Sequence, residues 1–143
     1  MKKTLSKISY STTLFIAFLM LVLSGCSAHS PMIVENTTNT KKISENTYPA
    51  HQNKIFLTKE SLPTNTQIEI LASIDIGKVW YGNSKEVYES MAIRAREVGA
   101  DAVVEIKTWT QPSGFSWAAP HGHGTAVKLQ DKLILSNLKG EWK

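Results

Sequence analysis

The stretch Pro120-His121-Gly122-His123-Gly124 is where this sequence comes closest to site chemistry. Two imidazoles spaced i, i+2 on an extended segment lie on one side of the chain, where they can share a divalent ion such as Zn²⁺, Cu²⁺ or Ni²⁺. Two ligands fall short of the four that a closed structural site takes. Asp131 and Glu105 offer carboxylates, but the spacing singles out neither. The same pattern suits a glycine-flanked loop whose histidines are solvated or hydrogen-bonded. His121 and His123 also share parity with Thr125, Val127 and Leu129, so one ring can equally cover a sheet. Trp109, Phe115 and Trp117 surround this stretch. Large aromatics on a Gly/Pro segment make anchors for a partner, since they bury much area at small entropic cost. The alternative is that they fold back onto the outer face of a sheet. Ser113 and Ser116 lie nearby, but no nucleophile elbow, phosphate-cradling loop, dinucleotide motif or carboxylate pair accompanies them. No catalysis is expected.

A second chemistry sits near the start. Cys26 is the single cysteine in 143 residues, so an internal disulfide is excluded. It closes the apolar run FIAFLMLVLSGC, and Lys2, Lys3 and Lys7 precede that run with no acid among them. The uninterrupted apolar part, Leu14 to Leu23, is shorter than the roughly 20 residues of a membrane span. A basic start, a short apolar run and small residues at its end make a secretory signal peptide, here residues 1–25. In place of an A-x-A cleavage site stands Leu23-Ser24-Gly25-Cys26, which resembles the lipobox of bacterial lipoproteins. The resemblance implies a diacylglycerol on the Cys26 sulfur, cleavage before it, and an acyl chain on the new amino group. Two or three chains make a stable membrane anchor where one holds only reversibly. Ser27 stands where an Asp would signal inner-membrane retention, so the resemblance implies the outer membrane. In a single-membrane organism it implies the outer face of the cytoplasmic membrane.

Removing the signal changes the charge argument. The whole chain carries 16 basic and 12 acidic side chains; residues 1–25 take three lysines with them and leave 13 against 12. The basicity belongs to targeting, and no nucleic-acid partner is expected. The mature 118 residues suffice for one small domain. From Ser27 to about Asn53 the chain is rich in Asn, Thr, Ser and Lys, too polar to offset its ordering entropy. Residues 26–53 are therefore expected to form a flexible tether that contains His29 and His51. Such a coil spans roughly 30 Å. Residues 54–138 are expected to fold, with 139–143 a polar tail.

Within the folded part, Ile55-Phe56-Leu57 reads as a short strand. Ile68, Ile70, Ala72, Ile74 and Ile76 share one parity and Glu69, Ser73 and Asp75 the other, which predicts a half-buried strand. Asn83 with Glu86 three residues later marks a helix start. Val87, Tyr88, Met91, Ala92, Ala95 and Val98 then line one face, and Gly99 suits the residue just past the end. Ile93 lies on the helix's polar side. Ala102 to Trp109 predicts a strand with Ala102, Val104 and Ile106 facing one way. About fifteen residues from Thr110 to Gly124 show no period and read as a loop. Thr125 to Leu129 returns as a strand, and Leu133-Ile134-Leu135 adds a short strand or turn. This order predicts an α+β fold, one main helix on a small, mostly antiparallel sheet.

Ala95-Arg96-Glu97-Val98-Gly99-Ala100-Asp101-Ala102-Val103-Val104 followed by Gly124-Thr125-Ala126-Val127-Lys128-Leu129 resembles the YbjQ family. These are small bacterial α+β domains, sometimes labelled heavy-metal-binding. A related domain occurs in RcsF-like outer-membrane stress-sensor lipoproteins. The similarity covers about residues 66 to 130. RcsF-like proteins rely on disulfides, for which this chain has no further cysteine. Taken together, a lipid-anchored envelope protein with a binding, sensing or assembly domain is expected, its partner an envelope protein or a second copy. The alternative is a metal-binding or metal-sensing lipoprotein using His121 and His123. No cofactor is expected beyond the lipid on Cys26.

Overall fold

The computed structural model describes residues 37–113 and 116–143; the expected signal peptide, Cys26, the first part of the expected tether with His29, and Phe115 lie outside them. The described chain runs β1 (Thr37–Lys42), β2 (Phe56–Leu57), β3 (Ile68–Gly77), α1 (Ser84–Glu97), β4 (Ala102–Ser113), β5 (Ser116–Leu129), a 3-10 helix (Leu133–Asn137) and β6 (Glu141–Trp142). One sheet holds all six strands in the order β1-β3-β5-β4-β2-β6. Only β2 and β4 run parallel among the five pairings. An α+β domain with one α-helix on a mixed sheet is the result.

The helix follows its local signals. The Asn83 side chain accepts from the Lys85 N–H at 2.9 Å, satisfying a first-turn donor. At the other end Gly99 takes φ +76°, and Ala100 N–H reaches back to the Ala95 carbonyl at 2.9 Å. Val87, Met91, Ala92 and Ala95 are buried against Leu71, Ala72, Ile74, Ile76, Val103, Ile106 and Ala126, with Tyr88 and Val98 at the margin. Each fully buried Val, Leu, Ile or Met here contributes roughly 1.5–3 kcal/mol. Ile93 stays half-exposed.

β5 alternates from Ala119 onward but gains a residue between Ser116 and Ala119, opposite Gln111–Ser113, and both its neighbours carry bulges of their own. β3 gains a residue at Leu71, between Ile70 and Ala72, and β4 gains one between Val104 and Lys107. A bulge reverses which face the following side chains occupy. Two expectations are corrected here. Ile68 and Ile70 do not share the helix side with Ile74 and Ile76; Leu71 takes their place in that core, and both isoleucines are part-exposed. Val104 and Ile106 likewise part. Val104 joins Phe56, Ala102, Val127, Leu129 and Leu135 under the 3-10 helix, while Ile106 packs beneath α1. Glu105 makes that bulge with φ 55°, its N–H donating to the Glu60 carbonyl at 3.2 Å.

The expected loop from Thr110 to Gly124 is instead the end of a long hairpin. Its glycines are the cause. A Cβ on Gly122 would stand 2.5 Å from Val87 Cγ1, and one on Gly124 2.6 Å from Val103 Cγ1. Bare backbone lets α1 lie close to the sheet. Pro120 is tolerated because its carbonyl accepts from Lys78 N–H at 3.1 Å, just past the end of β3. β3 pairing with β5 ends at Gly77 opposite His121, so the N–H that Pro120 lacks falls beyond that ladder.

The expected tether is corrected from Thr37 onward. Thr37–Lys42 is polar because it is an edge strand, antiparallel to β3 and ending in two lysines. Downstream, Ser44, Tyr48 and Asn46 all donate to Glu69, Tyr48 at 2.6 Å and Asn46 at 2.8 Å. Those bonds hold the Glu69 carboxyl below its usual range, and the bond to Glu69 raises the Tyr48 phenol in return. His51 bonds the Ala100 carbonyl at 2.8 Å. Residues 139–143 are no loose tail either. Lys143 N–H donates to the Ile55 carbonyl at 3.0 Å, and Trp142 packs on Phe56 with ring centroids 5.1 Å apart.

Asp101 ties the helix exit to β4 and β5. It is buried, and it accepts from Leu129 N–H at 3.1 Å, Lys128 at 3.2 Å and Lys132 at 2.7 Å. Burial pushes this carboxyl up; the bonds from Lys132, Leu129 and Lys128 outweigh it and hold the group below the ordinary range.

Candidate functional site

The 3-10 helix seals only one end of the sheet face opposite α1. Toward the other end, cross-strand partners share that face in two rows. One row runs Asn39, Asp75, His123, Lys107; the next runs Thr37, Gly77, His121, Trp109. The histidines stand on adjacent rows of one strand, as an H-x-H pair on an extended segment must.

Each has acquired its own neighbour. His121 is 9% exposed, and its ring stacks on Trp109, centroids 6.1 Å apart and planes 21° apart. His123 Nδ1 lies 2.8 Å from Asp75 Oδ1, on a part-exposed surface. A carboxylate only accepts, so the neutral ring carries its proton on Nδ1 and keeps its lone pair on Nε2. A depression of about 590 Å³ adjoins the rows, lined by Thr38, Asn39, Asp75, Ile76, Gly77, Trp109, His121 and Gly122.

Asp75 is the functional-looking residue that sequence reasoning did not single out. Its only signal was a polar parity within β3, and pairing register decides which histidine it meets. Asp131 and Glu105 have other partners. Asp131 accepts from Leu133 N–H at 2.9 Å, and Glu105 from the Ser61 hydroxyl at 2.8 Å. Among the described residues, no group of three or more His, Cys, Asp or Glu side chains is placed to hold a metal ion. Ser113 and Ser116 face each other as the last pair of the hairpin, and both are buried. Trp117, by contrast, is largely exposed, and its N–H donates to the Tyr81 hydroxyl at 3.4 Å.

No family model matches the chain, and neither a curated protein nor a solved structure matches it. Among the described residues no helix is long and apolar enough to cross a membrane.

Proposed function

We propose that this chain is a lipid-anchored protein of the bacterial envelope, held through acylated Cys26 in the outer membrane. In a single-membrane cell it would sit on the outer face of the cytoplasmic membrane. Its α+β domain, of the YbjQ and RcsF-like kind, serves as a binding, sensing or assembly module without catalysis. One observation carries the reading: Leu23-Ser24-Gly25-Cys26 ends an apolar run that follows Lys2, Lys3 and Lys7. Exposed Trp109 and Trp117 on the hairpin support a contact role. Mass spectrometry of the membrane-purified protein is the test. An amino-terminal peptide beginning at Cys26 with the added mass of acyl chains is expected, and an uncleaved, unmodified terminus refutes it. Crosslinking in cells should capture an envelope partner or a second copy.

A second reading, divalent-metal binding by His121 and His123, is favoured by the Asp75 contact. That contact fixes the His123 tautomer as carboxylate partners do behind metal-binding imidazoles. Calorimetric titration with zinc, copper and nickel tests it. Micromolar binding lost in His121→Ala/His123→Ala supports the reading, and absence of binding in the parent ends it.

A further inference from the structure

Four of the five large aromatics exposed among the described residues gather at one end of the domain. Trp117 is 79% exposed, Trp80 and Tyr81 61% each, and Trp109 44%. Lys78 and Tyr81 tie the β3–α1 loop to β5 at Pro120 and Trp117, so the hairpin end and that loop lie side by side. Trp109 pairs with His121, four residues along β5 from Trp117. Trp and Tyr are the residues that settle where an apolar medium meets water, body in one and polar tip in the other.

The route of the chain decides what these rings meet. Thr37 opens β1 opposite Gly77, Gly77 faces His121, and His121 faces Trp109. Thr37 therefore lies in the Trp109 row, three strand spacings or about 14 Å away. Ten residues, 27–36, separate it from Cys26. Ten residues reach at most about 36 Å at full extension. Because β1 runs antiparallel to β3, the chain enters the sheet at the aromatic end and leaves β1 at the far one.

We infer that Trp80, Tyr81, Trp109 and Trp117 dock on the lipid surface that holds Cys26, with their rings at headgroup level. The inference rests on the lipid anchor proposed above. The acyl chains hold the protein to the bilayer, and the rings orient it. The His121–His123 face then stands beside the membrane, while Asp101 and the helix exit point away from it.

The full-length acylated protein, reconstituted in phosphatidylcholine/phosphatidylglycerol vesicles, tests this through quenching of Trp fluorescence by lipids brominated near the headgroup. Quenching is expected in the parent, with most of it lost in Trp80→Phe/Trp117→Phe and none lost in Trp142→Phe. Trp142, half-exposed on β6 at the opposite sheet edge, is the internal control. An unquenched parent, or equal losses in both variants, overturns the docking. Blue-shifted emission without quenching means the rings are buried between two copies, and that also overturns it. The mass of the amino-terminal peptide separates the two failures. With Cys26 acylated and no quenching, docking alone falls; with Cys26 unmodified, the anchor reading falls and takes the docking with it.

Discussion

Gly122→Ala is expected to unfold the domain at a lower temperature, and the size of the effect follows from the contact geometry. Among the described glycines only Gly99 has a positive φ, so alanine at 122 meets no backbone strain. Its methyl group would stand 2.5 Å from Val87 Cγ1, 3.0 Å from Met91 Cε and 3.1 Å from the Lys107 carbonyl oxygen. Carbon atoms pack comfortably at about 3.5–4.0 Å, so the overlap with Val87 is about 1 Å. Met91 can bend away, but a helical valine has one comfortable rotamer. The helix must lift instead. Overpacking of this kind costs about 1–3 kcal/mol, while replacing glycine in a strand returns about 0.5–1 kcal/mol of conformational entropy. The central values leave a net loss of about 1.3 kcal/mol, or roughly 5–10 °C in Tm for a domain of this size. Thermal unfolding followed by circular dichroism reads it directly. Val87→Ala removes the nearest of these contacts and leaves Met91 Cε and the Lys107 carbonyl, so Gly122→Ala in that background should cost markedly less, a coupling of about 1 kcal/mol. A Tm within about 2 °C of the parent, or the same penalty in both backgrounds, refutes the close-approach account of the motif.

Asp101→Asn should cost about 2–3 kcal/mol, because charged hydrogen bonds from Lys132, Leu129 and Lys128 are lost or weakened. The Asp101 carboxyl is depressed on folding, so its stabilisation is complete above the ordinary carboxylate value near 4 and disappears as pH falls through the folded value; urea titrations across this range should show a shallower acid limb in the variant. Glu69→Gln should speed amide hydrogen exchange across residues 44–48 and leave the α1 amides protected, since Ser44, Asn46 and Tyr48 all converge on that carboxylate. Trp142→Ala should expose the β2–β6 edge to proteolysis and lower stability by about 1–2 kcal/mol through the lost Phe56 contact; an unchanged cleavage rate would contradict it.

The helix was legible residue by residue. Asn83 and the spacing of the apolar face from Val87 to Val98 act through neighbours within a few positions, and Gly99 was legible as a helix end, although Tyr48 and Pro49 packed against it also require a glycine there. The odd-parity face of β5 was legible for the same reason. The histidine pair was visible as a pair, but its partners Asp75 and Trp109 come from other strands, and only register brings them there.

What the sequence alone determined of the fold is therefore local: the helix with its caps, the strand parity on either side of the bulges, and an α+β order. The tertiary structure decided the rest. Thr37–Lys42 is a strand because β3 offers it an edge, and Glu141–Trp142 because β2 does. Thr110–Ser113 and Ser116–Gly124 are strand because β4 and β5 pair there, with Gly122 and Gly124 leaving room for α1. Leu71 and Glu105 turn side chains to the opposite face because their strands must match β5, a constraint set by residues distant in the chain. Pairing energy depends on which strands meet, and no window of neighbouring residues contains that information.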